Sequence, residues 1–489
     1  MCAIGSLMGL EQDVAIMLSA QVEEFVQGDK QESLDCQRLD RYKYALIPSD
    51  QTQRASHAHP IWLLQTKLLL IWFRAFSGNL YVVTDALKEF GFLVNAYRSR
   101  MTDMQSDTHS ERHRKFPYSD WHSWLLHSIF ILSNLLTATY GAKPALLAFQ
   151  DGDIDLPFHD SVWNAPTEEL WRERVSQSSY TKQSSLKAGK NSPSMFWSHF
   201  AAVVIMHGIS IHLWHTSQIL LPITVSSPFG QAQRDLKSLI LDRTAEALSK
   251  CHEHILRARD AQCVPWTDSE GPLLFNCCSI LRLCHLRAVA DIEVLGAAPL
   301  QTSALVITQA LHNFLSTPPQ RNAIVVKAVG QILEGLVLPS TVGGLFLMRW
   351  VHWMEMLVRK CIELEQSEAM LLNQIRNICL ELDIIDAETI SLAAGIGRQY
   401  APYHDDTWVW GITPRIATVL REMADLCESE TDSSTLSFDH DVATFGLNST
   451  ATSTARLDYG NLIYMRTHFD EANIETLRSR AMSWRCFCK

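Results

Sequence analysis

Apolar residues recur every three or four positions along most of this chain, which is the spacing that places them on one face of an α-helix. Proline, glycine or serine separates successive segments. The pattern predicts helices at residues 3–27, 81–101, 117–139, 195–220, 231–259, 271–294, 302–315, 321–336 and 343–364, with a further helix reaching Leu382. No fixed repeat period is present, which argues against a solenoid. The pattern therefore predicts an all-α fold, a single large multi-helix domain with irregular loops.

Two early segments predict a helical hairpin. His59-Pro60 introduces a strongly apolar helix that runs through Ala75. Gly78-Asn79 then breaks the pattern before the helix over residues 81–101. We expect these two helices to pack against each other.

Composition changes at two places and suggests how the chain is organised. Residues 176–194 are rich in Ser, Lys, Gln and Gly, with Leu186 as the large apolar residue. We expect them to form a mobile surface insertion in a helical domain spanning residues 1–430. Residues 431–489 are expected to form a Ser/Thr/Asp-rich segment followed by a weakly predicted C-terminal helix. The Ser, Thr and Asp content of residues 428–455 predicts disorder or loose packing.

The run from Asp155 to Trp171 holds no catalytic constellation and reads as a packing signature. The carboxylate of Asp160 can cap a short helical turn. Thr167, followed by two glutamates, can open a second turn with acids at the positive end of the helix dipole. Trp163 and Trp171 remain as large anchors, so the run points to a regulator.

That run, with Trp121, Trp124 and the Tyr140-Gly141 step upstream, resembles the signature region of the fungal-specific transcription factor domain. This domain is the helical middle homology region of fungal zinc-finger regulators. Its pattern opens a helix with paired tryptophans and finishes with an acidic-Trp sequence. The chain keeps both ends of that pattern.

The middle of the pattern is different in this chain. Where the family has an acid and arginines, the sequence has His127, Ile129 and Phe130, so the family's salt bridge is not expected. Residues 1–7 resemble the interior of the domain's opening helix, and we expect the chain to begin mid-domain. A weaker likeness near residues 392–410 extends the resemblance over most of residues 1–430.

The resemblance implies regulation of RNA polymerase II transcription in the nucleus, by a protein that forms homo- or heterodimers and contacts the transcription machinery. It implies zinc-dependent DNA binding only for an upstream module that this chain lacks, and no cofactor in the chain itself. It also implies response to a small-molecule effector and control of a metabolic or secondary-metabolite gene set.

Charge and cysteine content agree with the absence of that module. Lys and Arg number 42 and Asp and Glu 53, so the net charge is 42 − 53 = −11, and phosphate backbones would repel the chain. The one basic candidate, residues 98–115, has the density of an ordinary solvated loop. Twelve cysteines are scattered, and the closest pairs, Cys277-Cys278 and Cys486-x-Cys488, lack the second pair that a zinc site needs. We expect buried, reduced thiols.

No secretory signal is expected, because Glu11 and Asp13 follow the start and no basic region precedes the apolar residues. The most apolar windows are residues 61–76 and 196–221. Lysine, arginine or histidine interrupts each of them, which predicts buried helices and no membrane span.

Candidate metal sites are weak. Asp151, Asp153 and Asp155 alternate as in a calcium loop, but Leu156 and Val162 stand where that loop needs glycine and a bidentate acid. A solvated acidic turn is the simpler interpretation.

Histidines are also frequent on predicted helices. His207, His212 and His215 fan around their helix, and the imidazoles of His252-Glu253-His254 are likewise split. Core or surface roles are favoured for both groups.

Catalytic motifs find no support either. The chain has no Gly-x-Ser-x-Gly, and Gly395-Ile-Gly397 lacks the context of a phosphate-binding loop. Asp405-Asp406 lacks the third acid of a helical terpene synthase, since Val409 occupies its position. A capping or surface pair is expected instead.

Tryptophans could line an effector cavity, since ligand pockets have apolar aromatic walls. Most of them are expected in the core. The candidates are Trp62, Trp72, Trp121, Trp124, Trp163, Trp171, Trp197, Trp214, Trp350 and Trp353.

The favoured hypothesis is a transcription regulator that is not an enzyme, with residues 428–453 as an activation segment or a linker. A helical enzyme or metabolite-binding protein of a biosynthetic pathway is the alternative. A third hypothesis is a coregulator that naturally lacks a DNA-binding module and works as a heterodimer. Turnover of a small molecule would favour the alternative, whereas protein partners and altered transcript levels would favour a regulator.

Overall fold

A computed structural model of the chain describes residues 17–24, 59–106, 118–148, 167–177, 199–223, 230–262, 271–289, 303–319, 321–334, 341–381, 391–405 and 411–444. Within these ranges the chain forms helices and no strand, which confirms the all-α prediction. Residues 17–24 are helical, and thirteen longer helices follow: α1 Ile61–Ala75, α2 Leu80–Ser106, α3 Tyr118–Tyr140, α4 Glu168–Gln177, α5 His199–Ile223, α6 Gly230–Gln262, α7 Gly271–Val289, α8 Ala304–Ser316, α9 Ala323–Glu334, α10 Thr341–Arg359, α11 Gln366–Glu381, α12 Leu392–Asp405 and α13 Thr413–Thr444.

The predicted hairpin forms α1 and α2, and local signals set its limits. Pro60 is the extended N-cap of α1, and its carbonyl accepts the amide of Leu63 at 3.1 Å. Asn79 caps α2, because its Oδ1 accepts the amides of Tyr81 and Val82 at 3.1 and 3.4 Å. The two helices contact each other, with Lys67 Nζ of α1 3.4 Å from Glu89 Oε2 of α2, so the predicted hairpin is confirmed.

Two ends of the signature region are also as predicted. The Thr167 Oγ1 accepts the amide of Leu170 at 3.3 Å at the start of α4, and Trp171 is buried one turn later. Gly141 follows α3 with φ of 63°, a conformation that favours glycine. Asp160 and Trp163 lie outside the described residues.

The C-terminal helix differs from the expectation of disorder or loose packing from residue 428. Residues 428–444 continue α13. Cys427 and Thr431 are buried at helical spacing, and the Thr431 hydroxyl donates to the Cys427 carbonyl at 2.7 Å. The burial of Thr431 thus carries the inward face of α13 one turn into a segment whose composition suggests a loop.

Other expectations fall mainly outside the described ranges. These are the predicted insertion beyond residue 177, the acidic turn at 151–155 and the segment 445–489. The division at residue 430 stays a prediction. Among the helices that the structure describes, none is both long and apolar enough to cross a bilayer.

Buried apolar side chains form two clusters. The larger cluster joins α1, α2 and α3 to α8 through α13, with Trp350 of α10 as its largest fully buried side chain. The smaller cluster belongs to α5, α6 and α7, with Ile131 of α3. The fold thus consists of a main helical body and a three-helix layer on it.

The closest helix packing in the main body involves α10, α12 and α13. A methyl group on Gly397 of α12 would lie 2.4 Å from Met348 Cε and 3.0 Å from Ala424 Cβ. Glycine lets α12 approach both neighbours here; the end of the Met348 side chain could turn away from an added Cβ, whereas Ala424 Cβ is fixed on α13 and would be crowded.

This geometry predicts that Gly397→Ala lowers the free energy of unfolding by about 1–3 kcal/mol through overpacking. Gly91 is the matched control, since it is exposed within α2 and an added Cβ would meet no atom within 4 Å. Gly91→Ala should therefore stabilise by about 0.5–1 kcal/mol. Urea unfolding of both variants checks the signs, and equal effects would contradict this account.

Candidate functional site

Three ionisable side chains, Arg349, His352 and Glu355, are buried on α10, and we call them the α10 polar row. They stand three residues apart, so each is rotated by about 60° from the one before it. As a result, each reaches a different neighbouring element. The row ties α10 to the end of α8, to α13 and to the start of α12.

Arg349 holds the C-terminal end of α8. Its Nε and Nη2 donate to the Thr317 carbonyl at 2.9 and 2.6 Å, and its guanidinium lies 4.3 Å above the centre of the Phe314 ring. A cation is favourable there because a helix C-terminus carries partial negative charge. Burial lowers the pKa of Arg349 to about 10, so it remains charged at neutral pH.

His352 joins α10 to α13. Its Nε2 lies 3.2 Å from Oε2 of Glu430, whose other oxygen is 3.9 Å from Nε2 of His312 on α8. Burial lowers the pKa of His352, and the charge and hydrogen bond of Glu430 oppose that shift. One glutamate of α13 thus faces histidines from two helices.

Glu355 caps α12 from another helix. Its oxygens accept the Leu392 amide at 3.3 and 3.2 Å, and Arg376 of α11 donates to it at 3.2 Å. Ser391 completes the cap, because its Oγ accepts the Ala394 amide at 3.2 Å. Burial raises the pKa of Glu355, whereas the Leu392 amide and Arg376 oppose the rise.

Because burial disfavours the charge of Glu355, its role as a hydrogen-bond acceptor should matter most. We expect Glu355→Leu to lower the free energy of unfolding by about 2 kcal/mol, since the buried Leu392 amide loses its acceptor. Glu355→Gln keeps an acceptor and should cost less than about 1 kcal/mol. Urea unfolding measures both, with the exposed Glu381→Gln as control. Equal losses for Leu and Gln would show that the charge is what α12 requires.

A second polar group lies between α3, α5 and α7. Arg287 Nη1 donates to Asn134 Oδ1 at 2.9 Å and to the Ser210 carbonyl at 2.9 Å, and also contacts the Ser210 hydroxyl. Asn134 Nδ2 lies 2.8 Å from His207 Nδ1. Burial, followed by the charge of Arg287, lowers the pKa of His207 to about 3. His207 is therefore neutral and accepts from Asn134.

The other predicted candidates are dispersed. His212 and His215 lie further along α5, and His252 and His254 lie on α6. Asp405 forms a surface ion pair with Arg421. Within the described ranges, no three His, Cys, Asp or Glu side chains are placed to hold a metal ion.

Two arginines of the basic candidate bind backbone carbonyls of the fold, and the described cysteines form no disulfide. Arg98 donates to the Ala145 carbonyl at 2.8 Å, and Arg100 donates to the His59 carbonyl. Residues 107–115 of that patch lie outside the described residues. The described cysteines are free thiols. Cys277, Cys284, Cys379 and Cys427 are buried as expected, whereas Cys251 and Cys278 are half-buried and Cys361 is exposed.

The tryptophans whose side chains the structure describes serve mainly as packing residues. Trp171, Trp214 and Trp350 are buried, and Trp62 is exposed. Trp124 stacks on Phe200 with ring centres 4.1 Å apart. The side chains of Trp121, Trp163 and Trp197 lie outside the described set.

The positions that depart from the family pattern lie in the interior. His127 is buried, and Ile129 and Phe130 belong to the larger apolar cluster. Apolar packing thus occupies the place where the family has charged residues.

Residues 343–422 match the model of the fungal transcription factor C-terminal domain. The match runs from α10 into α13 and contains the α10 polar row. It confirms the resemblance to fungal transcription factors, although it lies downstream of the run at 155–171, and it indicates a transcription regulator. The matched family is not a family of enzymes. No curated protein and no solved structure matches the chain.

Sequence reasoning missed the α10 polar row, although a signal for it exists. Ionisable residues at positions 349, 352 and 355 interrupt an otherwise strongly apolar helix. Such a helix is buried on most of its surface, so its charged residues need partners on neighbouring helices.

Proposed function

We propose that this chain is the regulatory part of a fungal RNA polymerase II transcription factor, acting in the nucleus through protein contacts. The match over residues 343–422 carries the proposal. DNA is reached through a zinc-dependent module on another segment or on a partner chain. The regulated genes are a metabolic or secondary-metabolite set, and a small-molecule effector or a dimer partner controls the output.

The surroundings of the matched segment support a regulatory role. Its helices are held by partly buried polar contacts from outside its own limits, such as the α8 terminus on Arg349 and Glu430 on His352. Changes in α8 or in the later part of α13 would therefore reach the matched segment. Such discrete contacts between elements are suited to coupling a binding event to a change elsewhere.

A reporter assay tests the function directly. The full chain is fused to an unrelated DNA-binding module in fungal cells that carry a reporter gene with the corresponding sites. We expect reporter expression to change at least fivefold relative to the DNA-binding module alone.

Glu355→Leu should bring the reporter back towards the level of the module alone, and Glu381→Gln should behave like the unmodified fusion. All fusions must accumulate to equal amounts in the nucleus. A reporter level identical to that of the DNA-binding module alone would contradict the proposed function.

A further inference from the structure

Helices α5, α6 and α7 have an apolar core of their own, and we call them the α5–α7 layer. Its buried members come from all three helices, together with Ile131 of α3. They include Val203, Met206 and Leu213 of α5, Leu248 and Ile255 of α6, and Cys277, Leu281 and Cys284 of α7. Most buried members of this cluster thus contact one another within the layer, and Ile131 is the member that the main body supplies.

Polar contacts join this layer to α3. Asn134 of α3 contacts His207 of α5 at 2.8 Å and accepts from Arg287 of α7 at 2.9 Å. Asn134, His207 and Arg287 are all buried. The seam between the layer and α3 thus contains a buried polar group, beside the apolar stack of Trp124 of α3 on Phe200 of α5.

Polar contacts also join the layer to α9, at partly buried and exposed positions. Arg282 Nε of α7 donates to the Gln331 carbonyl at 3.1 Å, and Lys327 of α9 donates to the Ser249 hydroxyl of α6. Apolar contact also crosses the boundary, since Ile211 and Leu286 of the layer belong to the larger cluster. Polar and apolar groups thus share the boundary, whereas the interiors on both sides are mainly apolar.

The balance of energies favours separation at these seams. A buried guanidinium and its acceptors all regain hydration when a seam opens, so a polar seam separates at a lower cost than an apolar one. Loss of the guanidinium alone is different, because Asn134 and Ser210 then stay buried without their donor in the closed state. Polar interfaces between parts of one chain are typical of parts that move relative to each other. Separating apolar cores costs more, because no hydration compensates for the exposed area.

We propose that the α5–α7 layer opens from the main body as a unit, with the Arg287–Asn134–His207 contacts as its latch. Helices α8 to α13 stay folded during this opening. The use of this opening in regulation rests on the proposed function. The layer lies outside the matched segment but contacts α10, the first helix of that segment, so opening would change the surroundings of α10. The opening itself does not depend on that function.

Native-state hydrogen exchange of the purified full chain in increasing urea tests the opening without any variant. We expect amides of residues 199–223 and 271–289 to exchange at least tenfold faster than those of residues 341–359, and to merge into one common exchange curve at lower urea. A single curve shared by the layer and by α10 to α13 would overturn the proposal.

Arg287→Met then tests the latch. Exchange should accelerate at least tenfold further in the layer and stay unchanged in α10 to α13. The matched control is Leu372→Ala, a cavity variant in α11, which should accelerate exchange in the main body instead. If Arg287→Met accelerated exchange equally in the layer and in α10 to α13, the Arg287–Asn134–His207 contacts would not act as a latch.

The reporter fusion separates this proposal from the proposed function. Arg287→Met should shift the reporter level at least threefold, whereas the exposed Glu381→Gln should leave it unchanged at equal protein amount. Equal effects of the two variants would overturn the regulatory use of the layer. If the unmodified fusion had no effect on the reporter, the proposed function would be wrong. Hydrogen exchange would still decide whether the layer opens.

Discussion

Lowering the pH from 7 to 5 is expected to destabilise this protein strongly, because several histidines are held neutral inside it. Burial lowers the pKa of His127 to about 4 and that of His207 to about 3. It also lowers the pKa of His285 and His404 to about 4. Charged neighbours modify these shifts, since Lys327 adds to the shift of His285 and Asp405 opposes that of His404.

The direction follows from linkage between protonation and folding. The ordinary histidine pKa of 6.5 applies to the unfolded chain, so between about pH 6.5 and 4 the unfolded state binds protons that the folded state does not. The stability is fully present above pH 6.5 and is lost as the pH falls. At pH 5 each of these histidines costs about 2 kcal/mol, and four such costs are comparable to the whole stability of a typical domain.

Urea unfolding followed by circular dichroism at pH 7, 6 and 5 measures this loss. We expect the midpoint to fall steeply below pH 6.5. His127→Phe removes one titrating group and should shift the acid midpoint to lower pH. The control is Met370→Leu, an exposed substitution without a titrating group, which should leave that midpoint unchanged. Equal midpoints at pH 7 and 5 would show that the buried histidines are accessible to protons in the folded state.

The sequence predicts well those helix starts that are set by residues next to them in the chain. Pro60 and Asn79 mark the starts of α1 and α2 through their own backbone and side-chain chemistry, so inspection of the chain finds them. The same is true of Thr167 at α4. Caps and breaks of this kind act within a few residues.

The later part of α13 and the α10 polar row depend on distant partners instead. Composition around residue 428 suggests a loop, whereas the burial of Cys427 and Thr431 against the main body favours a helix. Glu355 accepts the amide of Leu392, which is 37 residues away, and His352 contacts the carboxylate of Glu430 on α13. A single sequence specifies the charges of the row but does not show which helices face them.

The turn between α1 and α2 gives the other large effect, because two backbone segments meet there. Gly78 has a φ of +76°, and a Cβ on it would lie 1.8 Å from the carbonyl oxygen of Gly411. Arg415 Nε also donates to the Gly78 carbonyl at 3.0 Å. The turn is thus docked against the start of α13, and the obstructing atoms belong to backbone that has little freedom to move.

Gly78→Ala is therefore expected to lower the free energy of unfolding by more than about 3 kcal/mol. About 1–2 kcal/mol comes from the left-handed backbone conformation, and separation of the two segments adds the rest. Gly330→Ala, on α9 with no atom within 4 Å of an added Cβ, is the control and should be neutral or stabilising. Urea unfolding compares the two variants. If Gly78→Ala cost no more than the backbone strain, the turn and α13 would be able to separate cheaply, and the docking would contribute little to joining the first helices to the matched segment.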